Sequence, residues 1–408
     1  MTDTKNINIP KLRFSGFEDS WVNDKMANLY SFKVTNSFSR VNLNYVYGQV
    51  KNIHYGDIHT KFQTLFDITK ESVPLINPEI SIERIAEENY CQEGDLILAD
   101  ASEDLNDVGK SIELVNLNNE KLLSGLHTIL ARPKLEKLAI GFGGYLFKSN
   151  IVRTQIQKES QGSKVLSISA TRLSNISLVI PVKDEQQKIA SFLTAVDEKL
   201  QALKKKKSLL EQYKKGIMQK LFSQQLRFKI TNEVGELVEP PVWEEKKLGE
   251  IAKITTGSSN RVDSNLDGEF TFFDRSQDIR SSNKYLFDAE AIIVPGEGQV
   301  FVPKYFKGKF DLHQRTYAIM NFKGMNVMFL FYSISFNTNH LDSQAVGSTV
   351  KSLRLPMFES MPIFAPCLAE QTKIANFLST LDDKINTVQS EIEKTDIWKK
   401  GLLQKMFV

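Results

Sequence analysis

The chain has 408 residues, 41% of them hydrophobic and 25% charged, which is enough for two or three domains that each bury a core. Its net charge of +3 permits a nucleic-acid partner without arguing for one, so local charge has to decide. The two cysteines, Cys91 and Cys367, stand far apart and lack a second ligand at metal spacing, which excludes a disulfide framework and a zinc site and leaves reduced thiols in a cytoplasmic protein as the expectation.

In chain order, residues 1–18 form an N-terminal segment. It carries Asp3 and Lys5 but no apolar leader, and runs into Pro10, Lys11, Leu12, Arg13 and Phe14, with Trp21 following. Nowhere does an apolar window approach the roughly 20 residues of a membrane span. Residues 19–184 read as a first α/β body with strands dominant. A strand is expected over residues 95–99, a helix over 81–88, and turns at Gly56 with Asp57 and at Gly141, Gly143 and Gly144. The glycine run faintly resembles a methyl-donor loop. No Asn-Pro-Pro-Tyr-type motif accompanies it, since Asn77 and Pro78 are followed by Glu79, and a tight turn is the better reading. His54 and His59 are the only neighbouring histidines, and a loop position accounts for them.

Residues 185–222 form a long helix. Ile189, Leu193, Val196, Leu200, Leu203, Leu210, Ile217 and Leu221 follow alternating four- and three-residue steps, a heptad seam in which Lys207 and Lys214 fill the skipped positions. Asp184 is the expected N-cap, and Pro181 keeps the residues before it extended. A linker follows over 223–242, with Leu226, Arg227 and Phe228 and then Trp243 echoing the N-terminal marks. Residues 243–369 read as a second body, with strands at 291–294 and 310–320 and turns at Gly257 to Ser259 and at Gly296 and Gly298. Residues 370–408 close the chain with a second helix whose seam is Ile374, Leu378, Leu381, Ile385, Val388, Ile392, Leu402 and Met406, interrupted by Thr395 and Lys399.

The two helices are copies. A shift of 185 residues lays Gly162 on Gly347, Pro181 on Pro366, Glu185, Gln186, Lys188, Ile189 and Ala190 on Glu370, Gln371, Lys373, Ile374 and Ala375, and Lys214, Lys215 and Gly216 on Lys399, Lys400 and Gly401, with no gap. Gly216 and Gly401 mark a kink or a close helix contact. A long helix with a narrow apolar stripe needs a partner in water, so the copies are expected to pair antiparallel, with one body at each end. The fold class is therefore α/β (α+β): two mixed bodies with strand-rich cores, two long antiparallel coiled-coil helices, and an internal pseudo-two-fold repeat.

No catalytic constellation stands out. Asp197, Glu198 and Lys199, and Asp382, Asp383 and Lys384, are placed on outer helix faces as solvated charge. What remains is basicity near turns: Arg40, Lys51, His54, Lys61, Lys110, Lys148, Arg153, Lys164 and Arg172 in the first body, and Arg261, Arg275, Arg280, Lys304, Lys307, Arg315, Lys351 and Arg354 in the second. Arginine suits bidentate contact with guanine edges and lysine suits phosphate. An ordinary charged surface looks much the same.

The order of variable body and matched helix, twice over, resembles the specificity subunit of type I restriction-modification enzymes. Glu-Gln-x-Lys-Ile-Ala-x-Phe-Leu opens each helix and Lys-Lys-Gly-x-x-Gln-Lys-x-Phe closes it. The resemblance covers the whole chain. It implies that each body is a target recognition domain reading one half of a split duplex DNA sequence. The helices would set the half-site spacing and dock two modification (methyltransferase) subunits. Docking would fall on Glu185, Gln186, Lys188, Phe192, Lys214, Lys215 and Gln219, and on Glu370, Gln371, Lys373, Phe377, Lys399, Lys400 and Gln404. It further implies a non-catalytic chain that binds no cofactor or metal itself, with S-adenosylmethionine on the modification subunits and ATP with Mg on a restriction (endonuclease and translocase) subunit. A coiled-coil scaffold with two protein-binding bodies is the competing class, and an enzyme in its own right a third.

Overall fold

Residues 8–276 and 278–408 are described by a computed structural model; Asp3 and Lys5 lie outside them. They divide into two compact units, residues up to Leu203 together with Glu391–Val408, and Lys204–Ser390.

The first unit is built on a five-stranded sheet ordered Tyr30–Lys33, Thr128–Pro133, Leu96–Ala99, Ser111–Asn116 and Leu65–Asp67, antiparallel except for the last pair. Leu96–Ala99 is buried throughout because it is paired on both edges and covered on both faces. Its alternation sorts the faces: Leu96 and Leu98 join the core that meets the long helix, and Ile97 and Ala99 join a second core with Phe66 and Leu130. A smaller sheet, Leu122–Ser124, Lys51–Ile53, Leu75–Ile76 and Leu43–Asn44, extends the body. Val22–Lys25 pairs with Ser177–Ile180 just ahead of the long helix Lys183–Phe222.

The second unit carries a six-stranded sheet, ordered Lys253–Thr256, Thr316–Met320, Phe287–Pro295, Lys304–Leu312, Phe270–Phe273 and Arg280–Ser282. The same alternation sends Ile292 and Val294 to the helix side and Ala291 and Ile293 to the other. Glu244–Lys247 pairs with Pro362–Ala365 ahead of the helix Leu368–Lys405, one repeat along from the matching pair of the first unit.

The ends of both seams pack as expected. In the first unit Ile189, Leu193 and Val196 pack with Leu402, Met406 and Phe407, the start of one long helix against the end of the other. In the second unit Leu221 packs with Ile374, Leu378 and Leu381, the end of the first against the start of the second. Each pairing is antiparallel, as the two-copy pattern implied.

Several local expectations are corrected. The helices begin at Lys183 and Leu368, so Asp184 sits inside the first turn, where it faces the positive helix end, and does not cap it. Residues 81–88 form no α-helix; Ile80, Ile82 and Ile85 are used singly to cover Val50, Ile76 and Leu123, and only Glu87–Asn89 winds into a short 3-10 turn. The run 310–320 is two strands, broken by a turn at His313–Arg315. Gly56 and Asp57 belong to the short helix Tyr55–Thr60. A Cβ on Gly216 or Gly401 would meet nothing within 4 Å, so neither glycine marks a close contact inside the chain. Gly162 and Gly347 do need to be glycine: their φ values are +129° and +125°, and a Cβ would strike the carbonyl of Val165 or Val350.

Candidate nucleic-acid interface

The supports repeat down to individual atoms. Arg13 donates through Nε and Nη2 to the Glu185 carboxylate at 2.7 and 2.8 Å, and through Nη2 to the Asp19 carbonyl. Arg227 does the same to Glu370 at 2.8 and 2.7 Å, and to the Pro241 carbonyl. Gln186 accepts from the Ala139 backbone N–H and donates to the Pro181 carbonyl; Gln371 accepts from Asn326 and donates to Pro366. All four helix residues are buried, so Glu185, Gln186, Glu370 and Gln371 fasten body to helix and present nothing to a partner.

Further along, Lys399 pairs with Asp197 in the first unit, and Lys214 pairs with Asp382 at 2.5 Å in the second. Tyr145 donates to Asp197 at 3.1 Å and Tyr332 to Asp382 at 2.6 Å. Burial, and then the neighbouring aspartate, pushes both phenols above their usual range. The two aspartates are thus not the solvated charges expected; each ties a body to both helices of its unit. Lys373 donates to the Lys229 carbonyl. Phe192 packs edge-on against Phe14 and Trp398, and Phe377 packs tilted against Phe228. Of the expected docking residues, Lys188, Lys215, Gln219, Lys400 and Gln404 remain exposed, Lys188 lying over the rings of Phe14 and Phe17 and Lys400 pairing with Asp396. Tyr213 and Trp398, equivalent in the repeat and absent from that expectation, are 52% and 48% exposed.

The bodies differ where the supports agree. In the second, the two-residue strand Glu297–Gly298 pairs with Lys351–Ser352, and Arg315 and Arg275 both reach Glu297, Arg275 at 3.6 Å. Arg261 lies 3.8 Å from Asp274, and Lys304 donates to the Ser276 carbonyl. Burial acts to raise the Asp274 carboxyl, but the Ser276 hydroxyl and backbone N–H with Arg261 outweigh it and hold it below its usual value. Burial holds the nearby His313 low. Arg261, Arg275, Lys304, Arg315 and Lys351 are therefore gathered around Glu297, Asp274, Ser276 and the strand pair that Glu297 belongs to. Arg280, bound to Ser264, and the exposed Lys307 and Arg354 stand apart from this set.

At the equivalent strand pair of the first body, Ala101–Ser102 with Leu166–Ser167, the chemistry is aromatic. His54, His59 and His127 surround the Tyr55 ring at centroid distances of 4.7, 6.0 and 5.3 Å, a gathering of histidines that spacing alone did not show. His59 contacts the Ala101 carbonyl and His127 contacts Asp100. Arg40 and Lys61 converge on the buried Asp57 at 2.7 and 2.9 Å, and Lys61 also reaches Tyr45. Lys110 donates to the His59 carbonyl.

Other candidates are placed elsewhere. His54 is buried and accepts from the Gly56 N–H, and burial followed by Arg40 lowers its pKa, so it caps a helix and offers nothing to a ligand. Arg153 is spent on the carbonyls of Asn106 and Val108. Lys51 pairs with Glu120 and Arg172 with Glu159. Lys148 is half-buried among cations; burial, then Lys399, brings its ammonium down to about 8. Lys164 is exposed. The glycine run turns as expected, with Gly141 at φ +89° leading into the short helix Phe142–Leu146, and Gly141 and Gly144 donate at 2.6 Å to the two oxygens of buried Glu113, which leaves no cradle for a methyl donor. Among the described residues no group of three or more His, Cys, Asp or Glu is placed to hold a metal, and no helix is long and apolar enough to cross a membrane.

Against known proteins, the family model described as Type I restriction modification DNA specificity domain matches residues 50–212 and again 240–394. The EcoDI type I restriction enzyme specificity subunit of Escherichia coli is 29% identical over 155 residues, 38% of this chain and 34% of that one. The MjaIX specificity subunit of Methanocaldococcus jannaschii is 23% identical over 291 residues, 64% of this chain and 67% of that one. A crystal structure of the type I restriction-modification S subunit from M. genitalium shares the fold across 98% of this chain and 99% of its own, with a TM-score of 0.61 and 14% identity.

Proposed function

This chain belongs to the type I restriction-modification DNA specificity family, and from that premise we propose that it is the recognition subunit of such a system, each variable body reading one half of a bipartite, asymmetric duplex target. One observation carries the reading: the supports share their arginine, glutamine and lysine–aspartate clamps while the side-chain clusters of the bodies differ. Equivalent helices suit two copies of one modification subunit, received on the exposed lysines and on Tyr213 and Trp398. Unlike clusters, arginine-rich in one body and imidazole-rich in the other, suit two different half-sites read in the major groove. The length of the helices would fix the gap.

In this reading the chain is a non-catalytic, cytoplasmic member of the complex. S-adenosylmethionine belongs to the modification subunits, and ATP with Mg to the restriction subunits. The test is to express the chain with its modification subunit in a host lacking the modification and to map methylated bases. A two-part motif with unlike halves and a fixed gap is expected, and replacing residues 243–369 by another second body should change one half alone. No chain-dependent motif, or duplex binding by the complex that ignores salt, would refute it in favour of a protein scaffold.

A further inference from the structure

Glu297 forms the wall between two recesses of the second body, one of about 290 Å³ beside Arg315 and Gln314 and one of about 310 Å³ beside Arg275 and Arg261. Its side chain is only 16% exposed, while those of Arg315 and Arg275 are 58% and 52% exposed. Exposed ion pairs contribute little to stability, so two arginines converging on one sheltered carboxylate are poorly explained as a fold device. Resting on the DNA-reading function above, we infer that Arg315 is the guanine-reading side chain of the second body, that Arg275 offers a second such contact, and that Glu297 is the positioning residue for both.

The geometry distinguishes a base from a phosphate. Glu297 accepts from Nη1 of Arg315, which lines the recess, and the Nε and Nη2 edge makes no hydrogen bond among the described residues. That edge is a rigid two-donor fork matching the O6 and N7 acceptors of guanine. A phosphate at the same fork, carrying a full charge, would be opposed by Glu297 more strongly than guanine, whose acceptors carry only partial charge. Holding the fork in place beforehand also removes the cost of ordering a long side chain on binding. The turn His313–Arg315 is itself anchored: the Arg315 backbone N–H donates to His313 Nδ1 at 3.0 Å, and Gln314 donates to Asn260 at 2.6 Å.

The experiment compares methylated motifs directed by the wild-type chain, R315K, R315Q and E297Q, each with the modification subunit. The wild-type half-site read by the second body is expected to contain a G·C pair. Both R315K and R315Q should lower discrimination at that pair about tenfold or more while leaving the other half intact. R315K keeps the charge, so a pure phosphate contact would survive it. E297Q should likewise relax the pair and strengthen non-specific duplex binding, steepening its salt dependence by about one phosphate contact. A wild-type motif left unchanged by R315K, or a half-site without G·C, overturns the assignment alone. A wild-type chain that directs no motif overturns the assignment together with the function it rests on.

Discussion

Replacing Glu370 by alanine tests whether the repeated arginine clamp holds body to helix. The Glu370 side chain is fully buried and accepts from Arg227 Nε, Arg227 Nη2 and the Phe228 backbone N–H. Without it, Arg227 is left one-fifth exposed over the Trp243 ring with a single carbonyl partner. Removing one member of a buried pair costs about 3–5 kcal/mol, and the partial exposure of the guanidinium places this site near the lower figure, about 3 kcal/mol. Removing both members, as in R227M/E370L, should come close to neutral, because no charge is stranded. The chain has three tryptophans, so a W21F/W398F background makes Trp243, packed on Phe222 and Phe329, a reporter of the second unit alone. That matters because two units need not unfold in one step. Urea midpoints followed by Trp243 fluorescence supply the double-mutant cycle. A loss under 1 kcal/mol for E370A, or a double variant as unstable as E370A, would refute the reasoning.

Burial lifts Glu113 to about 7 against the pull of the Gly141 and Gly144 N–H groups. Its folded pKa exceeds its unfolded one, so the stabilisation is complete below the unfolded value near 4.5 and is lost as pH rises through about 7, on the order of 3 kcal/mol in all. The wild-type midpoint should fall over that window more than that of E113Q, and equal slopes would count against it. G216A and G401A should each raise helix stability by up to about 1 kcal/mol, since the added methyl meets nothing in the chain; a loss on thermal melting would contradict this. Replacing Tyr213 and Trp398 by serine should weaken capture of the modification subunit in a pull-down while leaving the chain's circular dichroism unchanged. Deleting four residues within 197–210 should change the gap in the methylated motif; an unchanged gap would show that helix length does not set it.

The supports were legible in the sequence because they recur. The seam from Ile189 to Leu221 is local and periodic, and the shift to Ile374 through Met406 repeats it, so both helices and their pairing followed from spacing. Asp197 misled for a different reason. Its partners, Tyr145 and Lys399, lie 52 and 202 residues away, and no local pattern separates a tied aspartate from a solvated one. The arginines of the second body could be named, but their convergence on Glu297 could not, because it depends on Gly296, Glu297 and the His313 turn meeting across a sheet. His54 stands in the sequence among the basic residues expected to contact DNA and is a helix cap, since burial rather than residue type decides which. The helix expected over 81–88 does not form because Ile82 and Ile85 cover Val50, Ile76 and Leu123 from a loop.

The composition of the first unit bears on synthesis. Lys204–Ser390 is a contiguous stretch and can close as soon as it leaves the ribosome, but the first unit takes its final strip from Glu391–Val408, and the Leu12 N–H bonds to the Lys405 carbonyl. Until that strip is made, Ile189, Leu193 and Val196 lack Leu402 and Met406. At about 5–20 residues per second that interval lasts roughly 10–40 s, long enough for a nascent apolar stripe to need a chaperone or a neighbour. The half of the molecule translated first is thus the half finished last.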